Sequence, residues 1–412
     1  MDELTNVLQK PPGTGANSVV FVSRQPIYTS SARLFAYQLL YRRDVIDHAL
    51  LANSEIADNE LFLNMFMDVE SVVSGNLAFV NVTRLFTLQD YCRVLPKERV
   101  VLEISPDIGI DESVMLCLRA LSDLGYTLAL DDFDYSEEVP PPLELAQYVS
   151  LNFARLTPED ISRQLALLAQ SKVKLIAKNL KTPEEFEIAK AMGFHYFRGS
   201  AFNKPKISSP MRVPINRLST MQLVLRLQNP DLGGEELEKI VSQDLAISYK
   251  LLRYVNSAAL SLTKNVESIR HAIQMVGTSR IRNWASLLLL TKLDDKPAEL
   301  LVTALVRAKM AEGVATMMGV PNPESHYMVG LFSSVDALLN ITMAEAIQLL
   351  PFPKPVREAL LNHEGPMGEV LSCVLDYENG NWEGVCRSSL DAGRIRQCYL
   401  DSIIAAQKMP RN

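Results

Sequence analysis

Hydrophobic positions in the first half of the chain fall into short, often β-branched runs separated by stretches with helical spacing. Val19 to Ile27 and Leu34 to Tyr41 are apolar runs joined by a short turn, which predicts two antiparallel strands. From about Glu55 to Val73, Ile56, Leu61, Leu63, Met65 and Phe66 form an apolar stripe and predict a helix. Further strands are expected at Leu77 to Val82, Val100 to Glu103, Tyr126 to Asp131, Gln147 to Leu151, Val173 to Ala177 and Phe194 to Phe197. Helices are expected between them, near Thr87 to Leu95, Asp111 to Leu124, Pro158 to Gln170 and Pro183 to Met192. In the second of these Val114, Leu118 and Leu121 recur at helical spacing and Gly125 supplies the stop. Repeated strand and helix units over this length predict a closed β/α barrel, with an open doubly wound sheet as the alternative.

Around Ser208 the pattern changes. Pro205, Ser208, Ser209, Pro210 and Pro214 mark a turn-rich linker, and the sequence beyond it is patterned as successive helices with no convincing strand. One of these is expected over Ser268 to Val276, where Ile269, Ala272, Ile273 and Val276 share a face, Ser268 is the N-cap and Gly277 the stop. Another is expected to run unbroken from Tyr327 to Leu338. The fold class is thus α/β plus all-α, a modified TIM-like β/α barrel followed by a separate helical bundle. The expected divisions are an N-terminal segment over 1–17, the barrel over 18–206, a linker over 207–215 and the bundle over 216–412.

Composition changes this picture little. At 412 residues, two domains are expected, and a net charge of −7 excludes a general nucleic-acid surface. Cys92, Cys117, Cys373, Cys386 and Cys398 contain no C-x-x-C pair, which reads as reduced thiols without a zinc site or disulfide frame. Met1 to Asn17 lacks the character of a signal peptide and no apolar run reaches spanning length. A cytoplasmic protein with neither a membrane nor a nucleic-acid partner is expected.

A barrel of this kind does its chemistry at the carboxyl ends of its strands. Those positions hold Gln38 and Arg42, Asn81, Glu103, Asp131 and Asp132, Ser150 and Asn152, Lys178 and Lys181, and Arg198. Oxygen donors at Asn81, Glu103, Asp131 and Asp132 have the chemistry of a hard-cation site. In the helical half no histidine precedes an aspartate, so the paired ligands of a metal hydrolase are missing. Ser333 and Ser334 lie where such a pair would be sought, and Arg280, Arg282, Arg307 and Lys309 read as a solvated helix face.

The run Tyr37-Gln38-Leu39-Leu40-Tyr41-Arg42, with Phe79-Val80-Asn81, Leu102-Glu103-Ile104, Leu130-Asp131-Asp132-Phe133, Ala177-Lys178-Asn179-Leu180-Lys181-Thr182 and Phe197-Arg198-Gly199, resembles the ordered motifs of the EAL family. That family comprises bacterial cyclic di-GMP phosphodiesterases built on a modified β/α barrel with one antiparallel strand. Ser242 to Ala258, Ser268 to Ile273 and Val329 to Phe332 are similar to the HDOD domain. Together the halves resemble the EAL–HDOD signalling proteins.

The resemblance also marks departures. Gln38 stands where active EAL enzymes have the signature metal-binding glutamate. Ser150 replaces the lysine near the attacking water, Asn152 an aspartate, Lys178 and Lys181 two glutamates, and Arg198 a late glutamine. Arg42, Asn81, Glu103, Asp131 and Asp132 are retained, with Arg42 the residue that touches a phosphate in the family. Losing carboxylates and gaining ammonium groups is expected to abolish the metal pair, leaving no cofactor and no activated water, with Lys178 or Lys181 paired to Glu103 or Asp131. The chain is therefore expected to be a catalytically inactive regulator that engages a protein partner through the HDOD domain, with the barrel as a homodimer platform. Its alternatives are a metal-independent cyclic di-GMP receptor and a weak residual phosphodiesterase.

Overall fold

The computed structural model describes residues 21–41, 72–88, 90–133, 142–206, 213–256, 266–293, 296–388 and 390–407. The N-terminal segment, most of the helix expected over 55–73, Arg42, the loop after Phe133 and much of the linker lie outside the described residues.

Eight strands close into a barrel in sequence order: β1 Val22–Thr29, β2 Leu34–Tyr41, β3 Leu77–Asn81, β4 Val100–Ile104, β5 Thr127–Asp131, β6 Tyr148–Asn152, β7 Lys174–Lys178 and β8 Tyr196–Arg198. Only β1 runs antiparallel to its neighbours, meeting β2 on one side and β8 on the other. From β2 onward the sheet is parallel, so closure rules out the open alternative. Helices α1 Arg84–Leu88, α2 Glu112–Asp123, α3 Pro158–Leu168 and α4 Pro183–Ala191 cover the outside. The segment expected as a helix near Thr87 to Leu95 divides into α1 and a 3-10 turn, Tyr91–Val94, with Asp90 in the left-handed conformation between them.

The period of two along each strand sorts the interior into layers. Ile27, Ala36, Phe79, Val101, Ala129, Tyr148 and Ile176 pack together as an apolar floor. Two positions nearer the rim on those strands stand Gln25, Gln38, Asn81, Glu103, Asp131, Ser150 and Lys178, and Arg198 completes the ring from β8. A single alternation therefore produces a dry floor and a polar mouth. One residue holds the rim tight: a Cβ on Gly199, whose φ is 149°, would lie 2.2 Å from the Leu180 carbonyl oxygen.

The remaining described helices are α5 Ile215–Leu227, α6 Gly234–Ser242, α7 Leu245–Val255, α8 Ile269–Val276, α9 Thr278–Leu290, α10 Ala298–Met317, α11 Glu324–Phe332, α12 Val335–Leu339, α13 Met343–Leu349, α14 Lys354–Asn362, α15 Gly365–Glu378, α16 Trp382–Cys386 and α17 Ala392–Gln407. Ser268 caps α8 by accepting from the His271 N–H, and Gly277 ends it at φ 94°. The helix expected over Tyr327 to Leu338 is broken at Ser333 and Ser334. There the Ser333 hydroxyl donates back to the Gly330 carbonyl, and both hydroxyls accept from Arg307 Nη1. Arg282 and Arg307 are buried, which corrects their reading as members of a solvated face. Burial forces each to find acceptors: Arg282 donates to the Asn229 carbonyl, and Arg307 takes both Glu378 oxygens at 2.6 and 2.7 Å.

The two halves share one apolar core, and the bundle closes a seam in the barrel. Because β8 is only three residues long, β1 outruns it and leaves the Arg24 N–H without a strand partner on that side. Tyr399 on α17 accepts that N–H at 3.1 Å, and Ser23 Oγ donates to the Glu378 carbonyl at 3.2 Å. Phe21 stacks on Trp382 at 5.3 Å. Arg24, 7% exposed, lies over the Tyr37 ring and faces Glu299 of α10 at 3.6 Å, while Tyr37 Oη donates to Glu299 at 2.7 Å.

Removing one member of a buried pair leaves the other charge without compensation. Glu299→Ala should therefore cost about 3–5 kcal/mol in chemical denaturation. The apolar pair Arg24→Met with Glu299→Leu should cost less than that single change, and an equal or larger loss would show that the pair is not the element joining the halves.

Candidate functional site

The polar mouth is held at the ends of consecutive parallel strands, where backbone pairing fixes the spacing of side chains. Asn81 and Glu103 are paired across β3 and β4, Asp131 and Ser150 across β5 and β6, and Asn152 and Lys178 across β6 and β7. The structure thus brings together Gln38, Asn81, Glu103, Asp131, Asp132, Ser150, Asn152, Lys178 and Arg198. Lys181 is exposed on the turn after β7, where its backbone N–H bonds the Glu185 carboxylate, and its side chain does not join them.

Lys178 is the centre of the cluster. Its Nζ lies 2.7 Å from both Asp131 carboxylate oxygens and 3.0 Å from Asp132 Oδ2, with only 6% of the residue exposed. Of the two lysines expected to pair with an acid, it is this one that does so. Asp132 turns into the mouth because its backbone is left-handed, at φ 60°, a conformation that aspartate tolerates better than most side chains. Its Oδ2 also receives Asn152 Nδ2 at 3.2 Å and Arg155 Nη1 at 3.3 Å. Asn179, at φ 59°, donates in turn to Asn152 Oδ1 at 3.0 Å.

Glu103 has no exposed surface. Gln38 Nε2 donates to one of its oxygens, and Arg198 Nη1 stands 3.5 Å from the other. Burial pushes the Glu103 carboxyl above its ordinary value and Asp131 adds to the rise, while Arg198, Lys178 and the Gln38 bond oppose it. Asn81 Oδ1, Ser150 Oγ and Arg198 Nε are buried with no hydrogen-bond partner.

The donor set does not suit a pair of divalent cations. Gln38 is a neutral amide whose NH₂ points at Glu103, and the Lys178 ammonium already lies against both oxygens of Asp131. Among the described residues no group of three or more acidic, histidine or cysteine side chains is arranged to hold a metal ion. The cluster holds a positive charge of its own, the Lys178 ammonium, against Asp131 and Asp132.

Sequence reasoning missed Arg155, Asn179 and the contacts of Arg24 and Tyr37 with the bundle. Arg24 carried a signal, since it is the one cation in the run expected as the first strand, Val19 to Ile27.

Two outcomes follow from this geometry. Lys178→Met leaves Asp131 buried opposite an apolar chain and should cost about 3–5 kcal/mol in denaturant unfolding. For Glu103, a carboxyl raised in the folded state holds its proton where the unfolded chain has released it. Its contribution therefore favours folding below the ordinary value of 4.5 and is lost as pH rises through the raised one. Relative to Glu103→Gln, wild-type stability should fall as pH rises across that window, and parallel stability curves would contradict the assignment.

Residues 215–350 match the HDOD domain. The uncharacterized protein YuxH of Bacillus subtilis (strain 168) is 28% identical over 397 residues, spanning 93% of this chain and 97% of that protein. The cyclic di-GMP phosphodiesterase CdgJ of Vibrio cholerae serotype O1 is 29% identical over 408 residues, spanning 97% of this chain and 94% of that protein. Among solved structures, a standalone EAL protein from Vibrio cholerae O395 in its c-di-GMP-bound form aligns at 18% identity and a TM-score of 0.35, over 45% of this chain and 91% of that one. With a closed barrel whose mouth carries the ordered motif positions, and a helical half that matches HDOD, the chain has the organisation of an EAL–HDOD protein.

Proposed function

We propose that this chain is a catalytically inactive regulator of cyclic di-GMP-linked signalling that acts through protein contacts. The observation that carries this reading is the Lys178 ammonium, held 2.7 Å from both Asp131 oxygens and 3.0 Å from Asp132. A divalent cation entering there would have to displace a buried charge that already neutralises its ligands. Glu103 is similarly engaged by Gln38 and Arg198, so no carboxylate of the mouth is left to position a metal-bound water. The barrel then serves as a scaffold, and the HDOD half presents the surface that a partner protein reads.

A second reading, a metal-independent cyclic di-GMP receptor, is favoured by Arg198, whose Nε and Nη1 have no hydrogen-bond partner. A guanidinium whose Nε is unused and whose Nη1 only faces Glu103 at 3.5 Å is suited to phosphate. The name of CdgJ supports the third reading, residual hydrolysis.

The test is an assay of purified full-length protein with cyclic di-GMP and magnesium or manganese. No linear dinucleotide is expected, and Gln38→Glu alone should not restore it, because Lys178 stays in place. Metal-dependent product that disappears in Glu103→Ala would overturn the proposal. Calorimetry without metal separates the first two readings: saturable binding weakened about ten- to a hundredfold by Arg198→Ala would favour the receptor.

A further inference from the structure

A cleft of about 670 Å³ lies between the barrel rim and the helical half. One wall is built from β1 and the turns after β7 and β8, the other from faces of α10, α12, α15 and α17. It is distinct from the barrel mouth, whose Glu103, Asp131 and Lys178 do not line it.

The two walls differ in how their charges are compensated. On the bundle wall, Arg307 is held by Glu378, and Glu299 faces Arg24. Asp336, also on that wall, has its carboxyl pushed up by burial, with Arg307 opposing the rise. On the barrel wall, Lys181 and Lys204 are exposed and pair with no carboxylate among the described residues. Beside them Asn203 Oδ1 is buried with no hydrogen-bond partner. Two cations without counter-ions and an unused acceptor therefore face one partly enclosed, polar space.

Such a space favours an anion, because field lines from uncompensated charges concentrate between low-dielectric walls. The acceptor on Asn203 asks for a donor on the same ligand. Of the two aromatic rings among the described lining residues, Tyr399 is buried with its hydroxyl taken by the Arg24 N–H, and the other is the exposed imidazole of His363. Among the described lining residues no Phe or Trp ring is present, and no two exposed rings face one another to sandwich a nucleobase. We propose that this cleft binds a small hydroxylated anion, a sugar phosphate or a hydroxycarboxylic acid, with its anionic group at Lys181 and Lys204 and a hydroxyl donating to Asn203. Because the cleft is lined by both halves, occupancy stabilises their docked arrangement, and the ligand acts as a signal read by the whole molecule.

The experiment is calorimetry on the full chain at low ionic strength, with glucose 6-phosphate and citrate titrated separately. One probe should bind saturably at one site per chain, and which one does so identifies phosphate or carboxylate as the recognised group. The double variant Lys181→Ala with Lys204→Ala should weaken binding about tenfold or more. Lys190→Ala, an exposed lysine outside the cleft, should leave it unchanged. Both lysines of the cleft are exposed, so the double variant should unfold at the wild-type temperature, and this is checked first. Absence of saturable binding by either probe overturns the proposal. So does an affinity unaltered in the double variant, or lowered equally by Lys190→Ala.

Discussion

A buried ammonium group is tolerated only where its surroundings replace the water it has lost. In this protein that requirement is met at Lys178, and the rest of the barrel mouth is arranged around it. The ends of β5 and β7 bring Asp131 and Lys178 into contact, and left-handed turns at Asp132 and Asn179 bring a second carboxylate and an amide network to bear. A parallel barrel can place polar groups in its mouth because the alternation that points one residue to the apolar floor points the next inward residue to the rim. That geometry holds internal charges against one another at the mouth of this barrel.

The helical half is joined to this scaffold by polar contacts as well as by apolar packing. The Arg24 side chain is enclosed by Glu299, the Tyr37 ring and the Val72 carbonyl, so a residue on β1 depends on a helix more than two hundred positions away. Arg307 and Glu378 form a comparable pair within the bundle, beside the serines that break its helix. Both pairs border the cleft. A change in one half therefore reaches the other through a few charged contacts and a shared core, whose alternatives are discrete and not continuously deformable.

Much of this was legible in the sequence because the signals were local. Alternation and helical spacing located the eight strands and most helices, with Ser268, Gly277 and Gly125 marking ends by side-chain chemistry alone. The barrel-rim residues were legible because strand ends in such folds are functional positions. What was not legible was pairing over long separations. Nothing near Arg24 announces Glu299, and nothing near Arg307 announces Glu378, because both partners are chosen by packing angles that the sequence does not display. Arg282 and Arg307 were misread for the same reason, since a cation on a helix looks solvated until the helix opposite supplies its acceptors. The break at Ser333 and Ser334 was hidden because an apolar stripe continues through it, and only the Arg307 guanidinium explains why the turn opens there.

The brevity of β8 has a consequence for how this chain can be divided. A strand that outruns its neighbour presents bare backbone, which in isolation invites pairing with another molecule. Tyr399, from the last described helix, shields that edge in β1, the first strand. The beginning and the end of the described chain are thus stitched together. A gene split at the linker would produce one fragment with a sticky sheet edge and another with unsheltered aromatic rings. Inheritance of the two halves as a single unit is then a matter of solubility as much as of signalling.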